Sequence, residues 1–152
     1  LVSHSLRGAP AAIRIMDTHT ARALLAADRF AALSGIEIVE AGPGWCTTRL
    51  VIEDKHLNAA NVVQGGAIFT LADLAFAVAS NSRGQLALAI NVNISFLAGR
   101  SSGTLVATAR EVTEPKRLGA YDVLVTDGQG EVIARFNGMV YRKNEQLEAG
   151  GR

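Results

Sequence analysis

Residues 63–79 read VQGGAIFTLADLAFAVA, and Asp73 is the only charge among them. The run is built of helix-forming residues, opens at Gly65-Gly66 and closes at NSRG, residues 81–84. A helix apolar on almost every side must be buried on almost every side, so the rest of the chain has to wrap around it. An ionised carboxylate is costly to bury unless it is paired or neutralised, and Asp is a mediocre helix former. Asp73 therefore calls for a chemical reason to be there.

The flanking sequence supplies the wrapper. Leu86, Leu88, Ile90, Val92, Ile94 and Phe96 alternate with small or polar neighbours, the signature of a long half-buried strand. Leu105 to Glu114, Ala120 to Thr126 and Glu131 to Arg142 read as three more strands, with turns at residues 99–103, 115–119 and 127–130. Short connections make consecutive strands antiparallel neighbours. Upstream, Gly35 to Ala41 and Trp45 to Ile52 read as a hairpin about the GPG turn at residues 42–44. Thr20 to Leu33 reads as one helix, capped by Thr18 or Thr20 and stopped by Gly35. The expectation is an α+β domain in which a curved antiparallel sheet wraps one long central helix, with an additional N-terminal helix.

Length and composition bound the rest. The chain has 152 residues, 49% hydrophobic and 19% charged, which suits one folded domain. Residues 18–142 are read as that domain, with 1–17 left outside the fold expectation and 143–152 as a polar tail. The opening Leu1 in place of Met suggests a trimmed or fused start. A net charge of +1 gives no global attraction to nucleic acid or to an anionic membrane. One cysteine, Cys46, forms no internal disulfide, which agrees with a soluble, cytoplasmic protein. No His/Cys/Asp cluster has metal-ligand spacing, so no metal and no cofactor are expected.

The stretch HLNAANVVQGGAIFTLADLAFAVASNSRG, residues 56–84, resembles the hot-dog acyl-CoA thioesterases of the phenylacetate-degradation type. Their pattern of H-x-N, H-G-G and L-A-D is met here by His56-Leu57-Asn58, Gln64-Gly65-Gly66 and Leu71-Ala72-Asp73. NVNISFLAG and GAYDVLVTDGQGEVIARFNG, further on, are similar too, so the resemblance spans about Gly35 to Arg142. It implies the hot-dog fold and hydrolysis of aryl- or medium-chain acyl-CoA. It also implies a homodimer, or a tetramer of paired dimers, with active sites between subunits. Asp73 would attack the thioester or activate a water, Gly65 would polarise the carbonyl from the helix start, and Asn58 would help place the carboxylate or the water.

The residue chemistry agrees with these roles. Gly65 and Gly66 at a helix N-terminus offer unpaired N–H groups to an oxyanion. Gln64 stands where the family has His; its amide donates a hydrogen bond but carries no proton. Phe69 and Phe76 are candidates for the acyl pocket. Arg100, Lys116 and Arg117, all in turns, are candidates for the coenzyme A phosphates, although the family's Arg-Pro after the long strand is replaced by Ala98-Gly99-Arg100. His56 is expected in a loop without a catalytic role, and His4 and His19 are given none. A hot-dog hydratase would pair its acid with a His five residues on, where this chain has Val78. A non-catalytic acyl-CoA binding protein is the alternative, motivated by Gln64.

Overall fold

The computed structural model describes residues 15–113 and 116–148. The chain runs α1 (Thr18–Leu25), α2 (Arg29–Leu33), β1 (Ile36–Gly42), β2 (Trp45–Val51), a 3-10 turn (Asp54–His56), α3 (Gly65–Asn81), β3 (Gln85–Phe96), β4 (Thr104–Glu111), β5 (Leu118–Asp127) and β6 (Val132–Gln146). Six antiparallel strands form one sheet in the order β1-β2-β4-β5-β6-β3, and α3 lies against it. This is the hot-dog arrangement.

The helix expected over residues 20–33 is two helices. Asp17 caps α1 by accepting the Thr20 N–H at 2.8 Å, and Asp28 caps α2 by accepting the Ala31 N–H at 2.9 Å. A short acidic side chain that binds the backbone ahead of it favours a helix start over a helix interior, so Asp28 breaks the run. Gly35 follows with φ of +76°, the left-handed conformation a helix stop requires.

The expectation that consecutive strands are neighbours holds for β1–β2, β4–β5 and β5–β6 and fails for β3, which pairs with β6 at the far edge. The connection at residues 97–103 makes no hairpin. Leu97 N–H bonds to Ile133 O at 2.8 Å at one end, and Gly103 O accepts from Ile52 N–H at 2.9 Å at the other. Its backbone groups are thus satisfied on β6 and beside β2, and the chain crosses over to β4.

Leu71, Ala72, Ala75, Phe76 and Ala79 of α3 are buried against Leu105, Tyr121, Val123, Val125 and Phe136 of the sheet. A side chain at Gly138 would meet the Phe76 ring at 2.7 Å, so glycine there lets helix and β6 approach closely. Thr48, fully buried, donates to Leu71 O at 2.9 Å. The polar tail begins later than expected: β6 continues past Arg142 to Gln146, and Leu147 N–H bonds to Gly84 O at 2.7 Å. Met16, inside the segment left out of the fold expectation, is a core residue; His4 lies outside the described residues.

The two sheet edges differ. Side chains of α1 engage the β1 edge: Arg22 donates to Ile38 O at 3.1 Å and Val39 O at 3.0 Å, and Thr18 Oγ1 accepts the Ala41 N–H at 3.1 Å. Among the described residues, no strand lies on the outer side of β3, which is 12 residues long. Among the described residues, no helix is long and apolar enough to cross a membrane.

Candidate active site

The sheet does not cover α3 all round. Gly66, Thr70, Asp73 and Ala77, at helical spacing, form a partly open stripe on the face turned from the sheet. Asp73 is half-buried on this stripe. Among the described residues, no hydrogen-bond donor or cation stabilises its charge, and burial raises its pKa, with the carboxylate of Asp28 adding to the rise. Asp28 stands at the start of α2, which packs against α3. A carboxylate held in this way is a stronger base than an ordinary one.

The start of α3 is organised by Gln64. Its Oε1 accepts the Gly66 N–H at 2.5 Å, and its backbone O accepts from Ala67 and Ile68. The Gly65 N–H has no acceptor among the described residues. Gly65 borders an apolar cavity of about 370 Å³ shared with Val62, Ile68, Phe96 and Leu97. An unpaired donor at the positive end of a helix dipole, in apolar surroundings, is suited to an oxyanion.

His56 holds this region in place. Nδ1 accepts the Glu53 N–H at 2.9 Å, so that nitrogen is unprotonated, and Nε2–H donates to Ser34 O at 2.7 Å. His56 O accepts the Gln64 N–H at 2.8 Å. One buried residue therefore ties the end of α2 to the start of α3. Sequence reasoning placed His56 in a loop without catalytic work and missed its burial and its ties. Asn58 lies in the same segment. Its Oδ1 accepts from Ala60 N–H at 2.9 Å and Val62 N–H at 3.3 Å, which shapes the loop leading to Gln64.

The chain is similar to known proteins. The family model described as Thioesterase superfamily matches residues 60–134, a span that holds both Gly65 and Asp73. A protein of Archaeoglobus fulgidus is 44% identical over 121 residues, 79% of each chain. The acyl-coenzyme A thioesterase PaaI of Escherichia coli is 35% identical over 80% of this chain and 88% of its own. The structure of E. coli PaaI, from the phenylacetic acid degradation operon, superposes with a TM-score of 0.77 at 32% identity, covering 85% of this chain and 97% of that one. The chain belongs to the thioesterase superfamily. It is a hot-dog thioesterase of the PaaI type.

Other expected site residues sort differently in this thioesterase. Phe69 lines a cavity beside the helix start, whereas Phe76 is sealed in the core against Tyr121 and Phe136, in space that the missing side chain of Gly138 leaves open. Arg100 is bonded to Asp127 at 2.8 Å and to Glu131, and it pins the β5–β6 turn. Its charge is neutralised there, which leaves little for a phosphate. Lys116 and Arg117 are exposed in the β4–β5 turn; Arg117 stacks on Tyr141 and donates to its hydroxyl at 2.8 Å. Cys46 is fully buried, and burial pushes its thiol up to about 12, which makes it unreactive.

Asp28 and Phe30 were missed by sequence reasoning. Their signal was present only in the Asp-Arg-Phe step that breaks the first helix, and its meaning depends on where α2 docks. Of the small residues of α3, Ala75 and Ala79 are buried against the sheet. On the open stripe the small exposed residues are Gly66 and Ala77.

Proposed function

We propose that the protein hydrolyses aryl- or medium-chain acyl-CoA thioesters, with Asp73 as nucleophile or as base for a water. The Gly65 N–H holds the oxyanion. One observation carries the reading: an unpaired carboxylate with a raised pKa lies on the open stripe of an otherwise buried helix whose first N–H is also unpaired. As the tetrahedral intermediate forms, negative charge moves onto the thioester oxygen, and the Gly65 donor stabilises it without reorganisation. With Asp73 as base, its carboxylate takes the proton of the attacking water, and collapse of the intermediate expels the coenzyme A thiolate and leaves the free acid. With Asp73 as nucleophile, the same collapse leaves an acyl-Asp73 anhydride that water then hydrolyses to the acid and the free carboxylate. Asn58 has its Oδ1 engaged by its own loop, and its Nδ2 is left to position the water or the carboxylate. Gln64 keeps the donor in place through its bond to Gly66. Coenzyme A is part of the substrate, and no further cofactor takes part.

The site needs two chains. Asp73 lies eight positions after Gly65, about 12 Å along one helix at 1.5 Å per residue, too far for both to act on one carbonyl. Two α3 helices packed antiparallel through their open stripes bring Gly65 of one protomer to Asp73 of the other. The unblocked β3 edge supports the same two-fold pairing. Leu88, Tyr141 and Leu118 stand in register across β3, β6 and β5 and are exposed; they offer a second contact through which dimers stack into a tetramer. Of the candidate phosphate ligands, Lys116 and Arg117 are the accessible ones.

Release of free thiol, measured with a panel of acyl-CoA substrates, tests the reading. Wild type is expected to turn over aryl or medium-chain substrates, and a folded Asp73→Asn protein is expected to lose activity by ~10²-fold or more. Tight acyl-CoA binding without hydrolysis would instead identify a non-catalytic binding protein. Near-normal hydrolysis by Asp73→Asn would remove Asp73 from the mechanism.

A further inference from the structure

A second cavity, of about 500 Å³, opens at the start of α3 on the side of the N-terminal helices. Its apolar wall is made by Phe30, Leu57, Ala67 and Phe69, and Gln64 and Gly66 stand at the helix start beside them. The volume lies within the range of small-ligand pockets. Most of its polar side chains are engaged internally. Ser34 Oγ donates to Phe30 O at 2.9 Å, Thr70 Oγ1 donates to Gly66 O at 2.7 Å, and both ring nitrogens of His56 are bonded. Lys55 is held near Glu53 at 3.7 Å. A ligand in this cavity meets hydrocarbon and aromatic carbon, together with the Nε2 donor of Gln64.

Phe30 is the anomalous member of the wall. It is 65% exposed, on a five-residue helix, where the core does not require a large apolar side chain. Its position is nonetheless fixed. Asp28 caps the helix, Ser34 N–H and Oγ both bond to Phe30 O, and His56 anchors Ser34 O while its own carbonyl holds Gln64. The backbone that carries the ring is thus tied by successive hydrogen bonds to the helix start where the oxyanion donor sits. Matching residues 60–134 of the family model do not include it.

We infer that this cavity receives the acyl group and that Phe30 is a specificity-determining residue, so that the N-terminal helical pair sets which acyl groups bind well. This rests on the thioesterase reading proposed above. On this inference an acyl group large enough to fill the cavity gains contact with Phe30 and Phe69, and a short acyl chain gains little from either ring. Removing the ring should therefore cost large acyl groups and spare small ones.

The test compares wild type, Phe30→Ala and Phe30→Trp with acetyl, butyryl, hexanoyl, octanoyl and phenylacetyl substrates. Phe30→Ala is expected to lower kcat/KM for the larger groups by about tenfold to a hundredfold, as loss of one buried apolar contact does, with the acetyl substrate changed little. Phe30→Trp, which fills the cavity, is expected to shift the optimum to smaller acyl groups. Because Phe30 is exposed, both variants should fold. Dissociation constants of the matching non-hydrolysable thioethers, measured by calorimetry, keep the inference separate from turnover. If wild type hydrolyses nothing yet Phe30→Ala flattens the dependence of Kd on acyl size, the pocket stands and the hydrolytic reading fails. If Phe30→Ala changes kcat/KM and Kd by the same factor for every acyl size, or not at all, the inference is overturned.

Discussion

Gln64 Oε1 accepts the backbone N–H of Gly66 at 2.5 Å, and the neighbouring Gly65 N–H is left without an acceptor among the described residues. The cap thus satisfies one orphan donor of the helix start and leaves another on a residue that lines a cavity.

Gly65→Pro isolates that donor. Gly65 is the first residue of α3, where proline's φ fits and its missing N–H costs no helix bond. Gln64 has φ of −65° and ψ of 137°, the extended conformation favoured before proline. A side chain at position 65 approaches the tip of the Phe96 ring at 3.0 Å, which a small rotation of that ring relieves. The expected outcome is a near-unchanged melting temperature with kcat reduced by ~10²- to 10³-fold. A folded Gly65→Pro enzyme with wild-type kcat would show that the oxyanion is held elsewhere.

Asp73 is raised by burial first and by Asp28 second. Its folded form holds a proton more tightly than the unfolded chain does. Stability therefore falls as pH rises from the ordinary carboxylate range through the raised pKa, and it stays lower above that. Asp73→Asn should melt higher than wild type at neutral pH, with the gap closing as pH falls below the ordinary carboxylate range. Asp28→Asn removes the repulsion and should shift the acid limb of the kcat/KM profile to lower pH. Melting curves across pH and the rate profile of the Asp28 variant check the two outcomes; an acid limb that stays in place would rule out coupling between the two carboxylates.

His56 has both ring nitrogens in bonds to backbone groups, so it has no free base to offer. His56→Ala strands the Ser34 carbonyl and the Glu53 N–H. It is expected to cost about 1–3 kcal/mol of stability, read from denaturant unfolding. Turnover per folded molecule is expected to keep the wild-type pH profile. A pH limb that disappears with His56 would make it a participant in catalysis.

Much of the fold was legible because it rests on periodicity. The α3 run, the alternation in β3 and the β1–β2 hairpin are local patterns, and each formed where its residues indicated. What the sequence withheld depends on tertiary partners. The crossover of β3 to β6 is decided by where residues 97–103 satisfy their backbone groups. Phe76 looked like a pocket residue until Gly138, 62 positions away, admitted its ring to the core. Arg100 looked like a free cation, but Asp127 and Glu131 reach it from a distant turn. Asp73 and Gly65 were legible as candidates because both stand out within one strongly patterned helix. Asp28 and Phe30 were not, because only docking of α2 brings them to that helix.

Sharing of the site between two chains is tested most directly by mixing two inactive proteins, Asp73→Asn and Gly65→Pro, under conditions where subunits exchange. In a mixed dimer one site joins the intact Gly65 of one chain to the intact Asp73 of the other, and the second site lacks both. Random exchange at equal concentrations makes half the dimers mixed, so about a quarter of wild-type activity should return. Recovery near that level, from two proteins that are each inactive alone, is the expected result. Confirmed exchange with no activity, or an active species that sediments as a monomer, would contradict a site built from two chains.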